Sequence, residues 1–192
     1  MENQVLRCAF VFGLVLSGCG RAEPELPESA PRVCAGGTPS TPTLGFVTPW
    51  APGCIDVEYV DELAHELPLF RSALAAWSGP DCTAVCFNTP QPFSGRPNIR
   101  RILLHQDNGS LRSTDGVIGV SFGGVPGHSR VRNDAAIVRR RETRANAEDY
   151  LGAVGSALGF LAVTGVDSSL SSSRSSLSED DVQSVCAVYP CN

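Results

Sequence analysis

The alternation of apolar and polar residues predicts two kinds of element in the first half of the chain. Residues 54–60 (CIDVEYV) alternate with a period of two, which is typical of a strand with one buried face. Between residues 67 and 77 apolar side chains instead recur at steps of three and four, which predicts an amphipathic helix. Pro68 suits its first turn, where no hydrogen bond is lost. Further strand candidates are residues 84–87, 99–106, 116–122 and 134–138.

The last third of the chain predicts helices. Residues 147–161 are mostly apolar, so we expect a helix that is buried on most sides. Ser178 and Asp181 have the spacing of a capping box, which predicts a final helix from about Glu179 to Pro190. Strands and a helix followed by two more helices indicate an α+β fold, with a mixed sheet and about three helices.

The N-terminus predicts export and lipid modification. Residues 8–16 (CAFVFGLVL) are too short to span a membrane and are typical of a secretion signal. They lead into residues 16–19 (LSGC), which resemble a bacterial lipobox and so predict cleavage before a lipid-modified Cys19. The alternative is ordinary signal cleavage near Gly18, which leaves Cys19 as a thiol. Position 20 is not Asp, so the resemblance to Gram-negative lipoproteins implies the outer membrane of the cell envelope, with the periplasmic or surface side left open.

Composition divides the chain into three parts. Residues 1–18 are the predicted signal peptide, and residues 19–53 are rich in Pro, Gly, Ser and Thr, which predicts a tether that cannot fold alone. Residues 54–192 are then the folded domain. The net charge of −5, without a basic stripe, does not indicate nucleic-acid binding. We interpret the one basic run, Arg139–Arg141, as a solvated strand end.

Six cysteines beyond Cys19 predict disulfides, because an even number in an exported domain is typical of oxidised pairs. They are Cys34, Cys54, Cys82, Cys86, Cys186 and Cys191. Of the 15 possible pairings, we favour the local loops Cys82–Cys86 and Cys186–Cys191, which leaves Cys34–Cys54. A zinc site is disfavoured because no C-x-x-C pair occurs.

Three segments resemble the matrixin-like metzincins, a family of zinc proteases. Residues 177–190 (LSEDDVQSVCAVYP) are similar to the family's closing helix, and residues 133–140 (NDAAIVRR) to its D-A-D-I-x-x-N strand, with Ala136 and Arg140 at the second Asp and the Asn. Residues 151–170 (LGAVGSALGFLAVTGVDSSL) have the rhythm of its H-E-x-x-H-x-x-G-x-x-H helix and Met-turn. The resemblance covers about residues 54–190 and implies a small metzincin-like domain.

The resemblance also assigns a register to the site. Gly159 matches the family's glycine, which puts Gly152, Ser156 and Ala162 at the three zinc-binding histidines. Ala153 then replaces the catalytic glutamate, and Leu170 replaces the Met-turn methionine.

These replacements remove the chemistry of the family. A catalytic zinc needs three N, O or S ligands and a base for its water, and Gly and Ala supply neither. Residues 129–192 contain no histidine, so no shift of the alignment restores the site. We therefore expect no zinc and no catalytic residue.

Other histidines and serines have simpler interpretations. His65-Glu66 lacks a second histidine at position 69 and is interpreted as an exposed dipeptide. His105 and His128 have no acidic partner at ligand spacing. The serines of residues 168–176 are not in a G-x-S-x-G elbow and are typical of a polar loop.

The leading hypothesis is a membrane-anchored pseudoenzyme that binds a peptide or protein in a vestigial cleft. One alternative is an active zinc endopeptidase that uses atypical ligands such as His105 or His128. Another is a structural envelope lipoprotein without a ligand. Residues 150–163 could also be a buried apolar helix unrelated to any protease.

Overall fold

The fold is α+β, as predicted. The computed structural model describes residues 41–96, 100–107, 118–121, 134–141, 143–171 and 173–191. The predicted signal peptide, Cys19, Cys34 and His128 lie outside these residues. The strands are β1 (Gly45–Phe46), β2 (Asp56–Tyr59), β3 (Gln91–Pro92), β4 (Arg101–Gln106), β5 (Ile118–Ser121), β6 (Asp134–Arg139) and β7 (Phe160–Leu161). The helices are α1 (Leu67–Ser78), α2 (Ala147–Leu158) and α3 (Glu179–Val188), and a 3-10 helix (Asp61–Glu66) precedes α1.

Five strands form one mixed sheet in the order β3-β2-β4-β6-β5. β2 pairs in parallel with β3 and β4, and β4 pairs in parallel with β6. β5 runs antiparallel to β6 and forms the edge of the sheet. Residues 84–87 were predicted as a strand, but this prediction is wrong. Phe87 forms only an isolated parallel bridge to Ile55, made by the hydrogen bonds from the Ile55 N–H to the Cys86 carbonyl and from the Asn88 N–H to the Ile55 carbonyl.

The helices cover the sheet and form the core. α1 has the predicted apolar face, with Phe70, Leu74 and Trp77 fully buried, and it packs against α2. α2 was predicted to reach residue 161 but ends at Leu158. Gly159 adopts a left-handed conformation (φ 112°), which ends the helix, and the next two residues pair as β7 with β1.

Part of the predicted tether belongs to the folded unit. Leu44 and Trp50 are buried, and β1 pairs with β7. The Trp50 indole N–H donates to the Ala157 carbonyl at 2.9 Å, so this segment satisfies one of the last carbonyls of α2. The boundary predicted at residue 54 therefore cuts through the packed structure. Composition did not predict this, because two buried side chains, Leu44 and Trp50, are enough to hold a Pro-rich segment against the core.

The favoured disulfide pairings are wrong. Cys54 is bonded to Cys86 and Cys82 to Cys186, and Cys191 is disulfide-bonded as well. The physical reason is the path of residues 82–87, which run between the start of β2 and the C-terminal residues. Ile55 donates its N–H to the Cys86 carbonyl, while Thr83 bridges to Pro190. Cys82 and Cys86 therefore face different neighbours and cannot reach each other.

Within the described ranges, no helix has both the length and the apolar content needed to cross a bilayer.

Candidate functional site

A cavity of about 520 Å³ lies where α2, β5, β7 and residues 168–173 meet. Its walls divide into an apolar part, from β5, β7 and Leu170, and a polar part, from α2 and several serines. The lining residues are Ile118, Val120, Glu148, Asp149, Gly152, Ala153, Ser156, Phe160, Leu161, Ser169, Leu170, Ser171 and Ser173.

Four of the five positions that the sequence resemblance assigned to a protease site line this one cavity. Gly152, Ala153 and Ser156 share a face of α2, since residues four apart in a helix lie one above the other. Leu170 comes from the turn before α3. Ala162 is exposed and lies just beyond β7, outside the set of lining residues. His105 lies in β4 and is not in the lining either.

The start of α2 is determined by local sequence. The Asn146 side chain accepts from the Asp149 N–H at 2.9 Å, and the Asp149 carboxylate accepts from the Asn146 N–H at 2.8 Å. This reciprocal cap fixes the residue at which α2 begins, and packing of the helix then places Gly152 and Ser156 on the cavity side.

The turn before α3 is held by one buried carboxylate. Asp181 is fully buried and accepts from the Ser168 hydroxyl at 2.6 Å and from the Ser169 and Ser178 N–H groups at 2.9 Å each. The capping box predicted from Ser178 and Asp181 is confirmed. The sequence did not reveal that the same carboxylate also fixes Ser168 and Ser169, because those contacts span twelve and thirteen residues.

Two glycines of α2 allow this turn and α1 to approach closely. A Cβ atom built on Gly152 would lie 2.8 Å from the Ser169 carbonyl oxygen, and one on Gly155 would lie 2.4 Å from the Trp77 ring. Real Cβ atoms essentially never approach other atoms that closely. Position 152 thus has no room for a side chain unless the Ser169 backbone moves.

The residues of the cavity do not fit a zinc ion. Gly152 and Ala153 have no donor atom, and the Asp149 carboxylate is engaged by the N-terminal cap of α2. Across the described ranges, no group of three or more His, Cys, Asp or Glu residues could hold a metal ion. A catalytic zinc needs at least three N, O or S ligands, and the residues that line this cavity do not supply them.

The charge of the cavity is acidic. Glu148 and Asp149 are its ionisable residues, and none of the lining residues in the described chain is basic. Ser169 is 6% exposed, and its hydroxyl has no hydrogen-bond partner among the residues that the structure describes. An unpaired buried hydroxyl costs free energy, so such groups call for a ligand or a water.

A second polar cluster lies behind α2 and has a structural role. The Glu66 carboxylate accepts from Arg139 Nε at 3.0 Å and from the Tyr150 hydroxyl. Burial, together with this hydrogen bond, raises the pKa of Tyr150 well above its usual value. The cluster links the residue before α1 to β6 and α2. Two sequence interpretations are thereby corrected in part. His65 is 71% exposed at its side chain, as predicted, but Glu66 is only 12% exposed, and Arg139 is buried although Arg141 is exposed.

The comparisons with known proteins find a similarity in structure and none in sequence. No protein-family profile matches this chain, and no curated protein sequence matches it either. Among solved structures, the chain is similar to high choriolytic enzyme 1, a hatching-enzyme zinc protease from Oryzias latipes (medaka fish), at 16% identity with a TM-score of 0.37. The match covers 60% of this chain and 48% of the enzyme, so the chain spans about half of that protein. At this TM-score the likeness carries no argument about function.

Proposed function

We propose that this chain is an exported, lipid-anchored protein with a catalytically inactive matrixin-like domain, and that the domain binds a peptide or protein segment in the cavity. The observation that carries the proposal is the meeting of Gly152, Ala153, Ser156 and Leu170 at one open cavity. The register behind these four positions comes from the sequence resemblance alone. A cavity kept at this place, without zinc ligands or a base, suits binding better than cleavage.

The edge strand β5 supplies a further reason to propose a peptide. Ile118 and Val120 line the cavity, and β5 pairs with β6 alone among the strands of the described residues. An extended peptide can add to such an edge through main-chain hydrogen bonds, while its alternate side chains enter the adjacent cavity. A cavity of 520 Å³ is within the size range of ligand-binding clefts.

The first experiment separates binding from catalysis. We expect no stoichiometric zinc in the dialysed protein by metal analysis, and no cleavage of fluorogenic peptides that a chelator abolishes. Chelator-sensitive cleavage would contradict the proposal and favour an endopeptidase with atypical ligands.

The second experiment tests the cavity itself. Peptides selected by display against the whole exported domain are measured again with Ser156→Trp, which fills the cavity, and with Ala147→Trp, an exposed position on the same helix. We expect Ser156→Trp to abolish binding and Ala147→Trp to leave it unchanged. Selection of no peptide, or equal effects of the two variants, would favour an envelope lipoprotein without a ligand here.

The anchor has its own test, since Cys19 lies outside the described residues. We expect Cys19→Ala to move the protein from the membrane fraction to the soluble fraction of the producing cells. Continued anchoring of this variant would refute the lipobox prediction.

A further inference from the structure

The acidic end of the cavity is built around Glu148. This residue is half-buried in the first turn of α2 and has no hydrogen bond or ion pair within the described chain. Its neighbour Asp149 is already engaged by the N-terminal cap of α2. Glu148 is therefore the carboxylate of the cavity that remains available for a ligand.

Glu148 also borders a second cavity of about 420 Å³, which shares Ser173 with the first. Arg174 lines this second cavity, but its guanidinium is paired with the carboxylate of Asp167. The one basic residue that lines either cavity in the described chain is thus paired with another carboxylate. Both cavities present Glu148 to any ligand that enters them.

A carboxylate in the first turn of a helix is by itself explained by the helix dipole. The buried Ser169 hydroxyl lines the same cavity and has no partner within the described part of the chain, which is an independent feature that the helix does not explain. An occupant with N–H donors would satisfy this hydroxyl and the Glu148 carboxylate together. Anionic ligands are disfavoured by the two carboxylates and the absence of basic lining residues in the described chain.

The other end of the cavity is apolar. Phe160 and Leu161 lie just after α2, and Leu161 is 48% exposed, so it offers apolar surface to a ligand in the cavity. From Glu148 to Leu158, the last residue of α2 before Gly159 and Phe160, the helix rises by about 15 Å, at 1.5 Å per residue. An extended peptide covers that distance in roughly five residue steps.

We infer that the peptide bound in this cavity carries a lysine or arginine side chain at the Glu148 end and an apolar side chain at the Phe160 end, about five positions apart. This inference rests on the proposed function, because it specifies the ligand of the same cavity. The Glu148 carboxylate favours a basic residue in the peptide through charge complementarity. The exposed Leu161 side chain beside Phe160 favours an apolar residue.

The probes are capped six-residue peptides with leucine at one end, arginine at the other and a serine–threonine spacer, made in both orders. Matched peptides carry glutamate in place of arginine. Binding to the whole exported protein is measured by fluorescence anisotropy at low and high salt. We expect one order of the arginine peptide to bind, the glutamate peptides to bind at least tenfold more weakly, and salt to weaken the arginine peptide.

Glu148→Gln tests whether the Glu148 carboxylate contributes to binding of the arginine peptide, and Glu179→Gln is the matched control. Both positions are acidic residues in the first turn of a helix, but Glu179 is exposed and does not line the cavity. We expect Glu148→Gln to weaken the arginine peptide about fivefold, at the upper end for a partly exposed ion pair, and Glu179→Gln to have no effect. Unfolding midpoints of the two variants should agree, which shows that both are folded.

The outcomes separate the inference from the proposed function. Equal binding of arginine and glutamate peptides, or no effect of Glu148→Gln, would overturn the inference while peptide binding stands. If none of these peptides binds at millimolar concentration, the inference is also wrong. The display selection with Ser156→Trp then decides the proposed function on its own.

Discussion

Replacing Gly152 by alanine adds one methyl group where α2 lies against the turn before α3. The new Cβ atom would lie 2.8 Å from the Ser169 carbonyl oxygen, which is 0.6 Å inside the 3.4 Å at which ordinary contact begins. The turn cannot retreat easily, because Asp181 holds it through the Ser168 hydroxyl and the Ser169 N–H. Overpacking of this kind costs about 1–3 kcal/mol.

Two opposing effects decide the sign of this change. Alanine in place of glycine inside a helix stabilises by about 1 kcal/mol through propensity alone. The overlap with Ser169 exceeds this gain, so we expect Gly152→Ala to lower the free energy of unfolding by about 1 kcal/mol. Histidine at position 152 has the same overlap and a larger side chain, so we expect a greater loss. A histidine at this position therefore destabilises the protein.

The assay is urea unfolding followed by tryptophan fluorescence, with Ser156→Ala as the control on the same helix. We expect the control to stay within about 0.5 kcal/mol of the starting protein. A double-mutant cycle with Asp181→Asn adds a second measure, since a loosened turn should reduce the cost of Gly152→Ala. A Gly152→Ala protein that is more stable by about 1 kcal/mol would refute the close contact between α2 and the turn.

Three further predictions follow from buried contacts. Asp181→Asn should lower the free energy of unfolding by about 3 kcal/mol in urea titrations, because three donors lose a buried carboxylate; a loss below 1 kcal/mol would contradict its role in the turn. The double replacement of Cys82 and Cys186 by serine should cost about 4 kcal/mol, since this bond closes a separation of 104 residues, and an unchanged thermal midpoint would argue against the pairing. Because the pKa of Tyr150 is raised in the folded state, the Tyr150 hydroxyl ionises at a lower pH in the unfolded chain. The stabilisation that Tyr150 gives the folded state is therefore complete below pH 10 and is lost as the pH rises above that value. Urea midpoints between pH 9 and pH 11 should thus fall faster than those of Tyr150→Phe, and parallel curves would exclude the effect.

Local patterns in the sequence were sufficient to predict α1 and the residue at which α3 begins. The steps of three and four in residues 67–77 predict α1, and the capping box of Ser178 and Asp181 predicts the start of α3 at Glu179. These signals act within one or two turns of the chain, where backbone hydrogen bonding and side-chain spacing are set by neighbouring residues. The lack of donor atoms at Gly152 and Ala153 is likewise a property of residue type alone.

Contacts between residues that are distant in sequence could not be predicted from local patterns. The disulfide Cys82–Cys186, the hydrogen bond from Trp50 to the Ala157 carbonyl and the pairing of β1 with β7 each join residues more than 100 positions apart. Sequence composition treated Trp50 as part of a tether, because its burial depends on the position of α2. Proximity in sequence favoured Cys82–Cys86, although the backbone sends these two cysteines to different neighbours.

The later residues of α2 and the serine-rich turn illustrate the division most clearly. The order LGAVGSALGFLAVTGVDSSL predicts a helix and a turn, and it supplies no zinc ligand at Gly152 or Ala153, but the end of the helix at Gly159 was not predicted. Only packing brings Gly152, Ser156 and Leu170 to one cavity and presses Ser169 against Gly152. Helix periodicity acts over a few residues, whereas the shape and charge of a cavity depend on how whole elements meet.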